Sequence, residues 1–250
     1  MPTIADLKIK IFADGADHDS LMSLYAQPYI RGFTTNPTLM RKANIASYEE
    51  FAHWVLALIK DRPISFEVFA DEIDEMEAQA LAIAGWGPNV NVKIPVSNTR
   101  KEFTGNLIQK LCTRGVVVNV TAVFTLAQVR QIARVLNPEV PAIVSVFAGR
   151  IADTGIDPVP VMKEALTILA HHPKAELLWA SPREVLNIFQ ANDAGCHIIT
   201  VSSEVLAKLK DVGKDLTEFS LETVRMFHRD AASAHYSIEI PALAGSTGTA

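Results

Sequence analysis

The chain has 250 residues, 49% of them hydrophobic and 20% charged, with a formal net charge of −5. That length and apolar share suffice for a sizeable core, built either as two small domains or as one α/β barrel. The mild acidity and the scatter of the 23 Lys and Arg residues argue against a nucleic-acid partner, and no window reaches the length of a membrane span.

The N-terminus, "MPTIADLKIKIFADG", lacks the basic region, apolar core and small-residue cleavage site of a secretory leader, so an unexported, cytoplasmic protein is expected. Short β-branched or aromatic runs then recur along the chain: "KIKIFAD" 8–14, "IRGFTT" 30–35, "ISFEVFA" 64–70, "VNVKIPV" 90–96, "VVVNVTA" 116–122, "AIVSVFA" 142–148, "ELLWAS" 176–181 and "HIITVSS" 197–203. Each reads as a strand. Between them lie segments of helical periodicity, such as "SYEEFAHWVLALIK" 47–60, where Ser47 and Glu50 have capping-box spacing, and "TLAQVRQIARVL" 125–136. Residues 214–236 read as an extra amphipathic helix that packs on the main fold or on a partner. The small residues 239–250 are expected to form a flexible tail. Cys112 and Cys196 stand far apart with no Cys-His cluster, so neither a disulfide framework nor a metal site is indicated.

Near-continuous apolar strands that alternate with helices imply a parallel sheet covered by helices, and eight such units in a chain of this size match a (β/α)8 barrel. A doubly wound sheet is the alternative. No Gly-rich phosphate fingerprint follows any of the strands, which weakens it. The expectation is therefore an α/β fold, a single-domain (β/α)8 TIM barrel over 1–238 with the extra C-terminal helix, followed by the tail.

Working groups in such a barrel lie at the C-terminal ends of the strands and in the loops that follow. Asp14 ends the first strand, and Thr34, Thr35 and Asn36 end the second. Glu67 interrupts the third, Lys93 the fourth, and Asn119 and Thr121 fall on the fifth. Ser145 and Arg150 flank the end of the sixth, Ser181 and Arg183 follow the seventh, and Ser202 and Ser203 close the eighth. His18, His53 and His228 read as solvated, and Trp54, Trp86 and Trp179 as packing.

Lys93 poses the sharpest question, since a lysine in an apolar strand is costly to bury while charged. It either carries its ammonium to solvent along its own stem or is a desolvated amine kept for nucleophilic attack on a carbonyl. Glu67 breaks its strand in the same way, and the two could form a buried ion pair that serves only packing. Against that reading, Asp14, Asn119 and Thr121 offer short polar groups on other strands that can donate, accept and position water.

The segments "GFTTNPT" 32–38, "EVFA" 67–70, "VKIPV" 92–96, "NVTAVFT" 119–125, "SVFAGRIAD" 145–153 and "ASPR" 180–183, in this order, resemble the transaldolases. The resemblance covers about residues 8–210 and points to the short-chain branch that also contains fructose-6-phosphate aldolase. It implies that Lys93 is the Schiff-base lysine, Asp14 the acid and base on the far side of the site, and Glu67 with Thr121 a relay through a bound water. It implies that Asn36 and Asn119 hold substrate hydroxyls or the lysine. Thr34 joins the substrate-binding set, and Ser145, Arg150, Ser181 and Arg183 form the phosphate or distal-hydroxyl end. The implied partners are sugar-phosphate substrates and further copies of the chain in a homo-oligomer, with carbohydrate metabolism of the pentose phosphate type as the setting. No metal or organic cofactor is expected.

The chemistry suits those residue types. A neutral lysine attacks a ketose carbonyl, and loss of water leaves an iminium that draws electrons from the adjacent carbon-carbon bond. For this the amine pKa has to fall from about 10.4 to roughly 7–8. Aldolases of the family tend to carry glutamine in place of Glu67 and tyrosine in place of Phe147, the tyrosine protonating the three-carbon enamine so that it leaves. Glu67 and Phe147 make this chain transferase-like. An aldolase that releases dihydroxyacetone and a barrel that binds sugar phosphates without turnover are the competing expectations. One departure stands out: Pro182 occupies the place of an aromatic between Ser181 and Arg183, which alters the loop path and the position of Arg183.

Overall fold

The computed structural model describes residues 3–239. Eight parallel strands close into a barrel in chain order: β1 (Lys10–Asp14), β2 (Ile30–Thr34), β3 (Ile64–Glu67), β4 (Val90–Pro95), β5 (Val118–Val123), β6 (Ala142–Val146), β7 (Ala175–Trp179) and β8 (Ile198–Ser202), with β8 pairing back to β1. Helices follow the strands on the outside, so the expected (β/α)8 TIM barrel forms. The strands are shorter than the apolar runs that announced them. The residues trimmed from their C-terminal ends, such as Val68–Ala70 and Thr35, become the loops of the mouth.

Several helices start where short polar side chains take the first free N–H groups. Ser47 caps the helix Tyr48–Leu58 by accepting the N–H of Glu50, although only that half of the expected capping box forms. Thr125 and Gln128 form the full reciprocal box on Leu126–Ala133. The contacts divide the chain into two compact units, with the boundary along the sequence between Lys210 and Asp211. The barrel lies in the first. The second contains the helix Leu216–Ser233, capped by Asp215, in which no residue is buried and Leu216 and Phe227 are 80% and 63% exposed. Of the tail expected over 239–250, all but the first residue lies outside the described residues.

Inside the barrel, apolar and polar layers are stacked. Phe12, Ile143, Leu178, Ala180 and Ile198 form one buried cluster between the two mouths. A Cβ on Gly32 would stand 2.5 Å from the Phe12 ring, so the absence of a side chain on β2 lets that ring lie flat against the strand. Truncating Phe12 to alanine would cost about 3–5 kcal/mol. Above this layer the interior turns polar. Ser65 on β3 accepts from Asn119 on β5, two strands away, so both side chains face inward.

Candidate active site

The C-terminal mouth gathers Asp14, Thr34, Glu67, Lys93, Asn119 and Thr121 from β1 to β5. Glu67 and Lys93 are partners in the β3–β4 register. Lys93 is 6% exposed, and its Nζ donates to the Thr35 carbonyl at 2.9 Å and lies 3.0 Å from Glu67 Oε2. Its ammonium does not travel along the stem to solvent. Glu67 keeps 18% of its side chain exposed, which gives the pair an opening towards the mouth.

Asp14 sits on the other side of the mouth. Thr34 donates to its Oδ1 at 2.6 Å, and the Thr34 hydroxyl also shares a 2.5 Å hydrogen bond with Thr200 on β8. Burial raises the Asp14 pKa above the ordinary aspartate range; the positive charge of Lys93 and the Thr34 bond act against that, and the negative charge of Glu67 adds to it. A carboxylate so raised is a stronger base. A cavity of about 380 Å³ adjoins it, lined among others by Gly15, Lys42, Ser202 and Glu204.

A second polar chain lies under this group. Asn119 is fully buried; its Nδ2 donates to Ser65 and its Oδ1 accepts from Ser145 at 2.6 Å. Ser145, 3% exposed, is thereby tied to Asn119 at the end of β6. Thr121 is buried opposite Pro95 on β4, and no hydrogen bond joins its hydroxyl to Glu67 or Lys93 among the described residues. Ala122, next to it, adopts φ 57, a left-handed conformation costly for a residue with a side chain, where the β5–β6 register shifts. Asn36 uses its Oδ1 to cap the helix Pro37–Lys42 through the N–H of Leu39.

The β6 to β8 side differs. Phe147, at the exit of β6, packs against the apolar cluster, and the Arg150 guanidinium lies 5.6 Å above its ring. Arg150 itself is exposed. The chain leaves β7 through Ser181 at φ 63, and a Cβ on Gly149 would stand 1.5 Å from the Ser181 carbonyl oxygen, so only glycine fits there. Past Pro182, the Arg183 side chain turns onto Asp153, with Nε 2.9 Å from Oδ1 and Nη2 against Oδ2. That contact lowers the Asp153 pKa. The two arginines expected at one phosphate end thus differ: Arg150 has no carboxylate partner among the described residues, whereas Arg183 has one.

Residues that the sequence reading passed over complete the site. Thr200 and Ser65 share the alternation parity of Ser202 and Glu67, a signal that could have found them. The Thr35 carbonyl on Lys93 carries no sequence signal, and its buried hydroxyl lacks a hydrogen-bond partner. His18, His53 and His228 are exposed, and Trp179 is fully buried. Cys112 and Cys196 are free and buried, the burial pushing the Cys196 thiol up to about 12. No helix among the described residues is long and apolar enough to cross a membrane.

The family model described as transaldolase/fructose-6-phosphate aldolase matches residues 11–239. A "Probable transaldolase 2" of Listeria monocytogenes is 32% identical over 202 residues, covering 80% of this chain and 88% of that protein. A "Probable transaldolase" of Dehalococcoides mccartyi is 33% identical over 202 residues, with 80% and 90% covered. Among solved structures, an aldolase designated QR15 superposes with a TM-score of 0.55 at 11% identity, over 82% of this chain and 95% of that one, a likeness of fold alone.

Proposed function

The chain belongs to the transaldolase/fructose-6-phosphate aldolase family, and from that premise we propose that it is a transaldolase, moving a dihydroxyacetone unit from a ketose phosphate to an aldose phosphate through a Schiff base on Lys93. The observation that carries the reading is the shielded Lys93 amine 3.0 Å from the Glu67 carboxylate, with the raised carboxyl of Asp14 at the same mouth. A lysine held only for packing would need neither.

The steps balance with these groups. Lys93 gives a proton to Glu67, and the neutral amine adds to the ketose carbonyl. Glu67, through water, protonates the carbinolamine oxygen, which leaves as water to give the iminium. Asp14 takes the C4 hydroxyl proton, the C3–C4 bond breaks, and its electron pair moves into the iminium to form an enamine while an aldehyde departs. An incoming aldehyde reverses these steps, Asp14 returning the proton to the new hydroxyl, and hydrolysis frees Lys93. Thr121 and Thr34 position water and Asp14, and Asn36 and Asn119 order the surrounding backbone and floor.

Phe147 favours transfer over release, because an apolar ring at the exit of β6 has no proton for the enamine. Of the two arginines, Arg150 is the better phosphate ligand, since a bound phosphate at Arg183 would have to compete with Asp153. The apolar side chains exposed on Leu216–Ser233 support self-association into a homo-oligomer, and a cytoplasmic setting follows the sequence reading; light scattering on the purified chain checks the former.

The test is borohydride reduction in the presence of a ketose phosphate, followed by mass mapping. A dihydroxyacetone adduct on Lys93 is expected. An unmodified Lys93 would overturn the mechanism and leave a non-catalytic binder. The same donor without acceptor should yield little free dihydroxyacetone; rapid release would replace transferase by aldolase.

A further inference from the structure

Evenly spaced hydrogen bonds join parallel strands: a residue facing its neighbour sends its N–H to one residue and receives an N–H from the residue two further on. Between β2 and β3 the register is Thr34↔Ser65, and the Thr35 N–H donates to the Ser65 carbonyl at 3.2 Å. Two residues further, the same register would send the Glu67 N–H to the Thr35 carbonyl and bring the N–H of residue 37 to the Glu67 carbonyl. Neither bond forms among the described residues. Residue 37 is proline and has no N–H. The Thr35 carbonyl is occupied by Lys93 Nζ at 2.9 Å. Both backbone groups of Glu67 on this edge are thus left without strand partners, which buried polar backbone rarely tolerates.

The Tyr48 hydroxyl fills both places. It accepts the Glu67 N–H at 2.7 Å and donates to the Glu67 carbonyl at 3.1 Å. Its ring is wedged edge-on to Phe66 and Phe69, with centroids at 6.2 and 5.5 Å, and tilted against Trp86 at 6.0 Å. Tyr48 is the first residue of its helix, directly after the Ser47 cap, so the helix start fixes where the hydroxyl falls. Burial raises the phenol pKa well above its ordinary value, which keeps the proton the donated bond requires.

We propose that Tyr48 is a positioning residue for the reacting pair: its hydroxyl stands in for the missing strand edge at Glu67 and so leaves the Thr35 carbonyl to orient the Lys93 amine. What the oriented pair does rests on the Schiff-base reading above. Without the hydroxyl, the Glu67 N–H has only the Thr35 carbonyl within the ladder's reach and must share its two lone pairs with Lys93, which draws both side chains off their bearing.

Tyr48→Phe keeps the ring and removes only the hydroxyl. Amide hydrogen exchange at Glu67 should speed up by about tenfold or more, while Val120 on β5 stays protected as in the parent. The parent must trap the adduct; the variant's kcat should then fall about tenfold with the donor KM within about twofold, since the loss lies in geometry at the reacting atoms. In a Glu67→Gln background, adding Tyr48→Phe should cost less than about twofold, because a residue that acts through Glu67 has little left to position. Unchanged exchange at Glu67, an unchanged kcat, or losses that multiply in the double variant would each overturn the proposal. If the parent traps no adduct, the Schiff-base reading fails, and the exchange measurement alone still decides whether Tyr48 completes the strand.

Discussion

Two lysine–glutamate pairs lie inside this barrel, one near each mouth. Lys10 and Glu176 meet at 2.6 Å across β8 at the N-terminal end, with 48% and 32% of their side chains exposed, beside a cavity of about 560 Å³ that Asn91 and Arg62 also line. Lys93 and Glu67 are slightly further apart at 3.0 Å but are 8% and 18% exposed. The comparison separates distance from environment. An exposed pair is screened by water and contributes about 0–1 kcal/mol. In the shielded pair each charge forgoes hydration worth several kcal/mol, so removing either partner leaves the other uncompensated in a way that an exposed pair does not. Only the second pair has Asp14, Thr34 and a helix-borne tyrosine gathered around it.

The most damaging change is Lys93→Met, which removes the proposed nucleophile while keeping length and apolar bulk. Borohydride trapping and turnover should both vanish, with a circular dichroism spectrum unchanged from the parent. Residual turnover above background would break the contrast between the two pairs at once.

Asp14→Asn should lower turnover by about 10²–10⁴ while the donor adduct on Lys93 accumulates, because the iminium forms and the bond then fails to break. It should also stabilise the fold at neutral pH. A carboxyl whose pKa is raised on folding contributes fully below the titration of an unfolded aspartate, about 3.9, and less as pH rises through the raised value. Thermal unfolding of Asp14→Asn should therefore show a higher Tm than the parent at pH 7 and no gain near pH 3. A neutral-pH Tm below that of the parent would contradict the raised carboxyl.

Phe147→Tyr places a hydroxyl above the apolar cluster, where the proposed mechanism would develop its carbanion. The ratio of dihydroxyacetone released to dihydroxyacetone transferred should rise several-fold, measured from one donor with and without acceptor. Smallest of all is the effect of Lys10→Met, which removes the exposed pair. Turnover should stay within about twofold and stability within about 1 kcal/mol, and a larger loss in a denaturant titration would give the N-terminal mouth a weight its exposure denies it.

Much of this was legible in the chain because strand parity and barrel position do the same sorting. Eight apolar runs alternating with helices gave the closed sheet, and the polar interruptions Asp14, Glu67, Lys93 and Asn119 all fell at one mouth. Side-chain partners across the barrel were not legible, since no spacing reveals that Asn119 spans Ser65 and Ser145. Nor does a sequence show that Arg183, past Pro182, turns onto Asp153. Tyr48 escaped for a different reason: an aromatic in the first turn of an amphipathic helix looks like core, and its hydroxyl matters only because Pro37 and Lys93 both withhold what β3 would otherwise use.

The Phe12 ring against Gly32 turns the barrel into a well with one door. Nothing the size of a sugar passes beneath it to the other mouth. Under the proposed transfer, the aldehyde cut from the donor would leave by the same opening through which the acceptor arrives. For an enzyme that holds its three-carbon fragment covalently between them, this fixes the order of traffic: one aldehyde out, then one in. Initial rates at varied donor and acceptor should give parallel double-reciprocal lines, and each aldehyde should inhibit by occupying the doorway the other needs.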